Sequence, residues 1–192
     1  GDHDFLIPAR NQLRPNVLVY TKPISLDAIA KVQDGVKCIT MKDDRGHHCD
    51  ILSLSQVDNL LARQEALKQG CYDGIFIREG LLTEATHSNV LIVKAGVIWT
   101  PGTNEFMTRG ITRSLVLSRV APTAGVTSID DATDPVRLED MMNAEEVFLT
   151  NSQDGIIPVL SIDGKPIGNG EVGPVTRKIQ QHYAHLMSDG LP

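Results

Sequence analysis

The chain has 192 residues, of which 41% are hydrophobic, and it carries a formal net charge of −6 at pH 7. This length and hydrophobic content are typical of a globular chain with one large domain or two small ones, not of a disordered protein. An acidic balance without a run of like charges argues against nucleic acid or an anionic membrane as the main partner. No apolar run approaches the roughly 20 residues that a membrane-spanning helix needs.

The chain begins "GDHDFLIPARNQLRP", without an initiator methionine, and we interpret it as a fragment or a processed product. Cys38, Cys49 and Cys71 are odd in number and lack CxxC spacing, so we predict reduced core thiols in an intracellular, cytoplasmic protein. His47 and His48 adjoin Cys49, but three neighbours on an extended segment point to alternating sides and cannot all face one ion. We therefore predict no metal site.

Two strands and two helices are predicted in the first 70 residues. In chain order they are a strand at 16–22, a helix at 26–32, a strand at 36–42 and a helix at 56–70. Ser25 is a candidate cap for the first helix, and Gly35 ends it. Ser55 and Asp58 resemble a capping box for the second helix, with Gly70 as its stop.

The stretch "HHCDILSLSQVDNL" (47–60) is predicted to be the end of a strand that turns into the second helix. Ile51 and Leu54 are three residues apart and are expected to share a buried face. Leu52 falls off that face, in a short connection of the kind that often carries reactive side chains. Leucine has no such chemistry, so the purpose of Leu52 depends on the rest of the chain.

Strands dominate the remaining sequence. In chain order the predicted elements are strands at 72–78, 88–94 and 97–100, a helix that begins near Thr112, a helix at 135–144, a strand at 145–151, a hairpin at 156–168 and a closing helix at 173–187. Ala95-Gly96 and Asp163-Gly164 predict tight turns. The mixture of hairpin and crossover connections predicts a single mixed α/β domain without an internal boundary.

Three polar connections lie where predicted strands end, and scaffolds commonly present ligand-binding groups at such positions. In "LLTEATHSN", Glu84 can aim a carboxylate at a ligand, although most single acids in turns are only solvated. In "TRGITR", Gly110 precedes the amides of Ile111 and Thr112 at a helix N-terminus. That arrangement suits an anion such as phosphate, and it equally suits ordinary helix capping.

The third connection is "TNSQDGIIPV", where Asn151 and Ser152 leave a strand in a polar loop. They can supply an amide and a hydroxyl to a ligand, or they can merely cap the strand. Each of the three signals is weak alone. Their order and spacing along the chain make them informative together.

Taken in order, "CDI.SLS", "LLARQEA", "GLLTEATHSNVLIVKAGVIWTP", "RGITR" and "EVFLTNSQDGIIPV" resemble the class IV, or fold type IV, pyridoxal-phosphate-dependent aminotransferases. The resemblance covers nearly the whole chain and is strongest to the D-amino-acid transaminase branch. Branched-chain aminotransferases and aminodeoxychorismate lyases are neighbouring branches.

The resemblance implies an α/β fold, a mixed-sheet pseudo-barrel with surrounding helices. Residues 1–192 would form the single large C-terminal cofactor-binding domain, and residues 1–14 would be a remnant of the interdomain connection. The small N-terminal domain of the family is absent from this sequence. Since the family builds its sites at dimer interfaces, a homodimer is expected of the full-length protein.

The resemblance also implies roles for individual residues. Glu84 matches the carboxylate that pairs with the pyridine nitrogen of pyridoxal 5'-phosphate, and Arg45 matches an arginine near that pair. An alternative for Arg45 is a surface arginine beside Asp43 and Asp44. The implied phosphate contacts are Gly110, Ile111, Thr112, Asn151 and Ser152.

Two positions near the implied substrate site depart from the family pattern. His3 matches the histidine of an Arg-x-His pair that binds the substrate α-carboxylate, but Gly1 stands at the arginine position. Thr108 stands where the branch usually has a leucine that supports the cofactor ring. Both departures bear on the choice of substrate.

Leu52 is the most serious departure, because it stands where the family has the lysine that forms a Schiff base with the cofactor and moves the substrate Cα proton. Leucine can do neither. Three explanations compete: an engineered replacement, a natural loss in a non-enzymatic relative, or a lysine that carries covalent cofactor and was converted to a wrong letter. We favour the third, because the neighbouring motif residues are all kept.

We therefore predict an aminotransferase that moves an amino group between an amino acid, with D-amino acids favoured, and a 2-oxo acid. The alternatives are an aminodeoxychorismate lyase, a branched-chain aminotransferase, or a non-catalytic relative if Leu52 is genuine.

Overall fold

The computed structural model describes residues 14, 16–131 and 135–188. The elements within these ranges are α1 (Leu26–Gln33), β1 (Val36–Lys42), α2 (Val57–Lys68), β2 (Asp73–Arg78), β3 (Leu81–Ala85), β4 (Asn89–Lys94), β5 (Val97–Pro101), α3 (Ile111–Leu115), a π-helical turn (Val116–Val120), α4 (Ala121–Thr123), β6 (Ser128–Asp131), α5 (Leu138–Met142), β7 (Glu146–Asn151), β8 (Gly155–Ile162), β9 (Lys165–Pro166) and α6 (Pro174–Ser188).

The described strands form one mixed sheet in the order β3-β2-β1-β8-β7-β4-β5-β6, and β9 pairs with β8. The β1–β2, β1–β8 and β5–β6 pairs are parallel, whereas the others are antiparallel. The sheet curls so that β3, at its end, contacts β4 directly. The result is a half-barrel with helices around it, which confirms the predicted fold class.

The central strands are buried on both faces, and this explains their uninterrupted apolar runs. On β4, Val90 and Ile92 pack into one core cluster together with residues from α5. Leu91 packs into the second cluster, beneath α6 and the π-helical turn. Because successive strand residues point to opposite faces, the "VLIV" run supplies both clusters at once.

Several local predictions are confirmed. The Ala28 N–H donates to Ser25 Oγ at 3.3 Å at the start of α1. Gly70 adopts φ +72° where α2 ends. The Ala95-Gly96 and Asp163-Gly164 turns have φ of 50° and 72°, and of 52° and 73°, respectively. Positive φ at both central residues is typical of the tight hairpin turn that such dipeptides predict.

The predicted strand at 16–22 is wrong. This segment has no regular structure, and Val17, Leu18 and Val19 are 80%, 83% and 84% exposed. None of the described strands pairs with it. An apolar β-branched run becomes a strand only where another strand offers hydrogen-bond partners, and the sequence alone does not reveal that partner.

The interpretation of residues 47–60 is wrong in three respects. The preceding strand ends at Lys42, so residues 47–56 are a surface connection that leads into α2 and not the end of a strand. Ile51 and Leu54 are 61% and 104% exposed and share no buried face. Gln56 stands at the N-cap of α2 without a side-chain cap, so Ser55 forms no capping box. Loops run over the surface because their backbone needs water or local partners.

Residues 81–85 form strand β3, which was not predicted, and Glu84 therefore lies in a strand instead of a loop. Glu79 and Gly80, with φ of 51° and 82°, turn the chain between β2 and β3. Glu-Gly is a weaker turn signal than Asn-Gly or Asp-Gly, which is why this hairpin escaped detection.

The cysteines are free in the structure. Cys38 and Cys71 are buried, as predicted for core thiols, but Cys49 is only half-buried, in the surface connection. Among the described helices, none has the length and apolar content to cross a membrane.

Leu149→Ala should lower the free energy of unfolding by about 2–5 kcal/mol, because Leu149 is 0% exposed on β7 and its truncation leaves a cavity. Urea unfolding of the full chain measures the effect. The matched control is Leu54→Ala, at a position that is 104% exposed, with an expected change within about 0.5 kcal/mol. Equal effects of the two variants would contradict the packing described above.

Candidate active site

A cavity of about 400 Å³ opens at the ends of β3 and β7 and at the start of α3. It gathers residues from segments far apart in sequence. The lining residues are Asp50, Leu52, Gln56, Asn59, Glu84, Ala85, Thr86, His87, Ser88, Asn89, Thr108, Arg109, Gly110, Ile111, Thr112, Thr150, Asn151 and Ser152. All three polar connections singled out in the sequence therefore contribute to one cavity, and Leu52 lies in its wall.

Glu84 is the buried acid of this cavity, with 4% exposure. Its Oε1 accepts a hydrogen bond from Arg45 Nη1 at 2.6 Å, and its Oε2 accepts from the Thr108 N–H at 2.8 Å. Burial raises the pKa of Glu84 above its ordinary value, and these two donors only partly oppose the rise. The solvated acid considered as an alternative is excluded.

Arg45 lies behind Glu84 and does not line this cavity; it lines a second one, of about 360 Å³, that shares Glu84 and Thr108. It is 6% exposed, so the alternative of a surface arginine is excluded. Its Nε and Nη2 donate to the two oxygens of Asp43 at 2.9 and 3.1 Å, and Nη2 also donates to the Phe106 carbonyl at 3.0 Å. Burial lowers the pKa of Arg45, but the hydrogen bonds to Asp43 and Glu84 outweigh it, so the guanidinium stays charged.

Asp43 joins the group at the end of β1. Besides Arg45, it accepts hydrogen bonds from Thr83 Oγ1 at 2.9 Å and from Arg78 Nη2 at 3.1 Å. Burial raises the pKa of Asp43, but these donors outweigh burial and hold it below the ordinary value. Asp44, by contrast, is exposed and pairs with Lys42 at the surface.

The start of α3 is fixed by Asn89. Its Oδ1 accepts from the Gly110 N–H at 3.1 Å, and its Nδ2 donates to the Thr108 carbonyl at 2.8 Å. A Cβ on Gly110 would lie 2.1 Å from Asn89 Oδ1, so this position requires glycine. The first amides of a helix lack intrahelical partners, and those of Ile111 and Thr112 begin α3 at the cavity.

Asn151 turns the chain where β7 ends. Its Oδ1 accepts from the Asp154 N–H at 2.7 Å, and its Nδ2 donates to Ser88 Oγ at 3.1 Å. Ser152, next in the chain, is exposed at the cavity. Thr150 also lines the cavity; its Oγ1 is buried without a hydrogen-bond partner in the described part of the chain. Such a hydroxyl suits a ligand that supplies the missing partner.

Leu52 is 75% exposed and brings only apolar surface to the cavity. His3 lies outside the described residues. Sequence reasoning missed Asn89, Thr150 and His87, which line the cavity beside the predicted residues. Their positions, next to Glu84 or Asn151 in the same connections, were the available signal.

The curled mixed sheet and the polar cavity at its strand ends agree with what a comparison with known protein families finds. A family model described as amino-transferase class IV matches residues 1–162. The chain belongs to this family.

Among its relatives, the D-alanine aminotransferase of Bacillus licheniformis is 39% identical over 168 residues, which cover 88% of this chain and 58% of that protein. The D-alanine aminotransferase of Staphylococcus aureus is 31% identical over 182 residues, with 95% and 62% covered. The crystal structure of the Escherichia coli branched-chain amino acid aminotransferase matches with a TM-score of 0.69 and 27% identity, over 81% of this chain and 53% of that chain. The chain thus spans less than two thirds of the length of these relatives.

Arg45→Met should lower the free energy of unfolding by about 3–5 kcal/mol, because it leaves the buried carboxylates of Asp43 and Glu84 without their shared cation. The control is Lys42→Met, which breaks the exposed Lys42–Asp44 pair and should cost at most about 1 kcal/mol. Urea unfolding compares the two. A cost for Arg45→Met no larger than that of the control would contradict a buried pair.

Asp43 should make stability depend on acid pH. Because its folded pKa is lowered, the stabilisation is complete at neutral pH and is lost as the pH falls below about 4, the ordinary value of an unfolded aspartate. The difference in unfolding free energy between the unchanged chain and Asp43→Asn should therefore shrink in that range. Asp44→Asn controls for net charge. A difference that does not vary with pH would contradict the ion pair.

Proposed function

We propose that this chain is the cofactor-binding part of a pyridoxal-phosphate-dependent aminotransferase, which moves an amino group between an amino acid and a 2-oxo acid. The main support for this proposal is that Glu84, the start of α3 and the Asn151-Ser152 loop line the same cavity. Residues 1–192 belong to the large C-terminal domain, residues 1–14 to the connection that precedes it, and the small N-terminal domain lies outside this sequence.

The groups of the cavity suit the cofactor at both of its ends. A buried carboxylate such as Glu84, held by Arg45, favours a positive charge on a nearby ring nitrogen. Amides and hydroxyls of Ile111, Thr112, Asn151 and Ser152 suit the phosphate, and Gly110, whose N–H is donated to Asn89, fixes the start of α3 beside them. The unpartnered Oγ1 of Thr150 adds a further hydroxyl.

Pyridoxal phosphate supplies the electron sink that lets a proton leave the Cα of an amino acid. Glu84 would stabilise a positive charge on the ring nitrogen of the bound cofactor, and Arg45 and Thr108 hold the carboxylate in place. A base must also move the proton, and Leu52 has no atom that can do so. General acid–base catalysis is typically worth about 10²–10⁴ in rate, so a chain with leucine there binds cofactor noncovalently and turns over poorly.

D-Amino acids are the favoured substrates, because the relatives from Bacillus licheniformis and Staphylococcus aureus are named D-alanine aminotransferases. A branched-chain aminotransferase is the second candidate, favoured by the match to the Escherichia coli structure.

His3 is proposed as a substrate-carboxylate contact. The full-length protein is proposed to be a cytoplasmic homodimer. Release of pyruvate from aminodeoxychorismate without an amino acceptor would decide for the lyase branch instead.

Peptide mass spectrometry of residues 50–63, after borohydride reduction of the protein with its cofactor, tests position 52. A lysine mass with reduced cofactor would identify an active aminotransferase, and a plain leucine mass would identify a site without its base. In the second case Leu52→Lys should gain the cofactor mass and D-amino-acid turnover.

Leu54→Lys is the matched control, because position 54 is 104% exposed and outside the cavity wall. It should gain neither the cofactor mass nor turnover. Labelling of both lysine variants to the same extent, or of neither, would remove position 52 from the proposed site.

A further inference from the structure

The side chain of Asn151 is fully engaged within the protein. Its Oδ1 accepts hydrogen bonds from the N–H groups of Gln153 at 3.0 Å and Asp154 at 2.7 Å. Its Nδ2 donates to Ser88 Oγ at 3.1 Å and to Tyr72 Oη at 3.2 Å. An asparagine side chain offers two lone pairs on its oxygen and two N–H donors, so all four positions are used. The side chain of Asn151 therefore shapes the loop and has no free position for a ligand.

Tyr72 joins Asn151 to a buried acid. It lies just before β2 and outside the cavity wall. Its hydroxyl donates to Asp154 Oδ2 at 2.5 Å and accepts from Asn151, whereas His87 Nε2 is more distant, at 3.3 Å. Burial, and next the hydrogen bond to Asp154, raise the pKa of Tyr72, so the phenol keeps the proton that it donates. The orientation of this hydroxyl is thus set by Asp154, and its lone pair is left for Asn151.

Asp154 is anchored from outside the cavity. It is 6% exposed and does not line the cavity wall. Its carbonyl accepts from Gln33 Nε2 at 2.9 Å, at the end of α1. Besides Tyr72, the donor to its carboxylate in the described part of the chain is Gln153 Nε2, at 3.4 Å from Oδ1. A buried acceptor that loses its partner is costly, so the Tyr72 hydroxyl and Asp154 hold each other in place.

We propose that Tyr72 and Asp154 are positioning residues that act through Asn151. They set Ser152 in the cavity wall, where its exposed hydroxyl meets the bound cofactor. This inference rests on the proposed function, and it deepens that proposal by separating the residue that faces the ligand from the residues that place it. Ser152 follows Asn151 directly, so its hydroxyl moves with the turn that Asn151 closes. A ligand contact is precise only where supporting hydrogen bonds lock the side chains behind it.

The first test is a double-mutant cycle on the affinity for pyridoxal 5'-phosphate, measured by absorbance titration of the cofactor-free full chain. Ser152→Ala should weaken binding by about three- to tenfold, as expected for one lost hydrogen bond. Tyr72→Phe removes a single hydroxyl and should weaken binding by a similar factor. The double variant should bind no more weakly than Ser152→Ala alone, because both changes remove the same contact. Additive effects would overturn the inference.

The second test uses conservative variants of Asp154. Asp154→Asn keeps an oxygen that accepts from Tyr72 and should retain most of the affinity, whereas Asp154→Ala should lose as much as Tyr72→Phe. Equal affinities of the two Asp154 variants would overturn the inference. The loop is also observed without cofactor, by hydrogen–deuterium exchange of the peptide 151–155. Exchange should accelerate several-fold in Tyr72→Phe, because the N–H groups of Gln153 and Asp154 lose a fixed acceptor.

The matched control is Tyr20→Phe, which removes the same hydroxyl from a side chain that is 68% exposed and outside the cavity wall. It should change neither affinity nor exchange. If the unchanged chain does not bind pyridoxal 5'-phosphate, the proposed function is overturned and this inference with it. If it binds and Tyr72→Phe changes neither affinity nor loop exchange, the inference alone is overturned. Weaker binding without faster loop exchange overturns it as well, since Tyr72 would then act by another route.

Discussion

The buried pair between Arg45 and Glu84 is the interaction on which the rest of the site depends. Arg45 reaches Asp43 beside β1, Glu84 on β3, and the Phe106 carbonyl in the loop before α3. None of these charges is tolerable alone in the interior, because an unpaired buried ion is far more costly than a paired one. Each of these three segments therefore needs the other two in place, and this mutual requirement fixes the shape of the cavity.

The curl of the sheet brings the segments around this ion pair together. Because β3 at the end of the sheet contacts β4 near its middle, the turn between them, the end of β7 and the start of α3 meet around one space. A flat sheet of the same strand order would hold Glu84 and Asn151 apart, with three strands (β2, β1 and β8) between theirs. The polar groups are thus brought together by topology, and the hydrophobic clusters on both faces of β4 and β7 hold that topology rigid.

The sequence predicted most strands and helices, since β4 is an uninterrupted apolar run and α6 has an amphipathic pattern. The prediction failed where the structure of a segment depends on residues that are distant in the sequence. Residues 16–22 read as a strand but have no neighbouring strand to bond to. Conversely, β3 was not predicted because Glu84 interrupts its apolar pattern. The partners that make this acid tolerable in a strand, Arg45 and the Thr108 N–H, are 39 and 24 residues away in sequence. The Tyr72–Asp154 pair escaped for the same reason, since nothing local marks two residues 82 positions apart as neighbours.

The contact between Asn89 and Gly110 has a consequence for how this site can change over generations. A side chain at 110 would collide with the Asn89 amide, which itself holds both the Gly110 N–H and the Thr108 carbonyl. Replacing either residue singly damages the start of α3, so the two positions are epistatic and must change together. Such coupled positions evolve slowly even when neighbours drift. Leu52, in the cavity wall, takes no part in this contact and can vary independently of it.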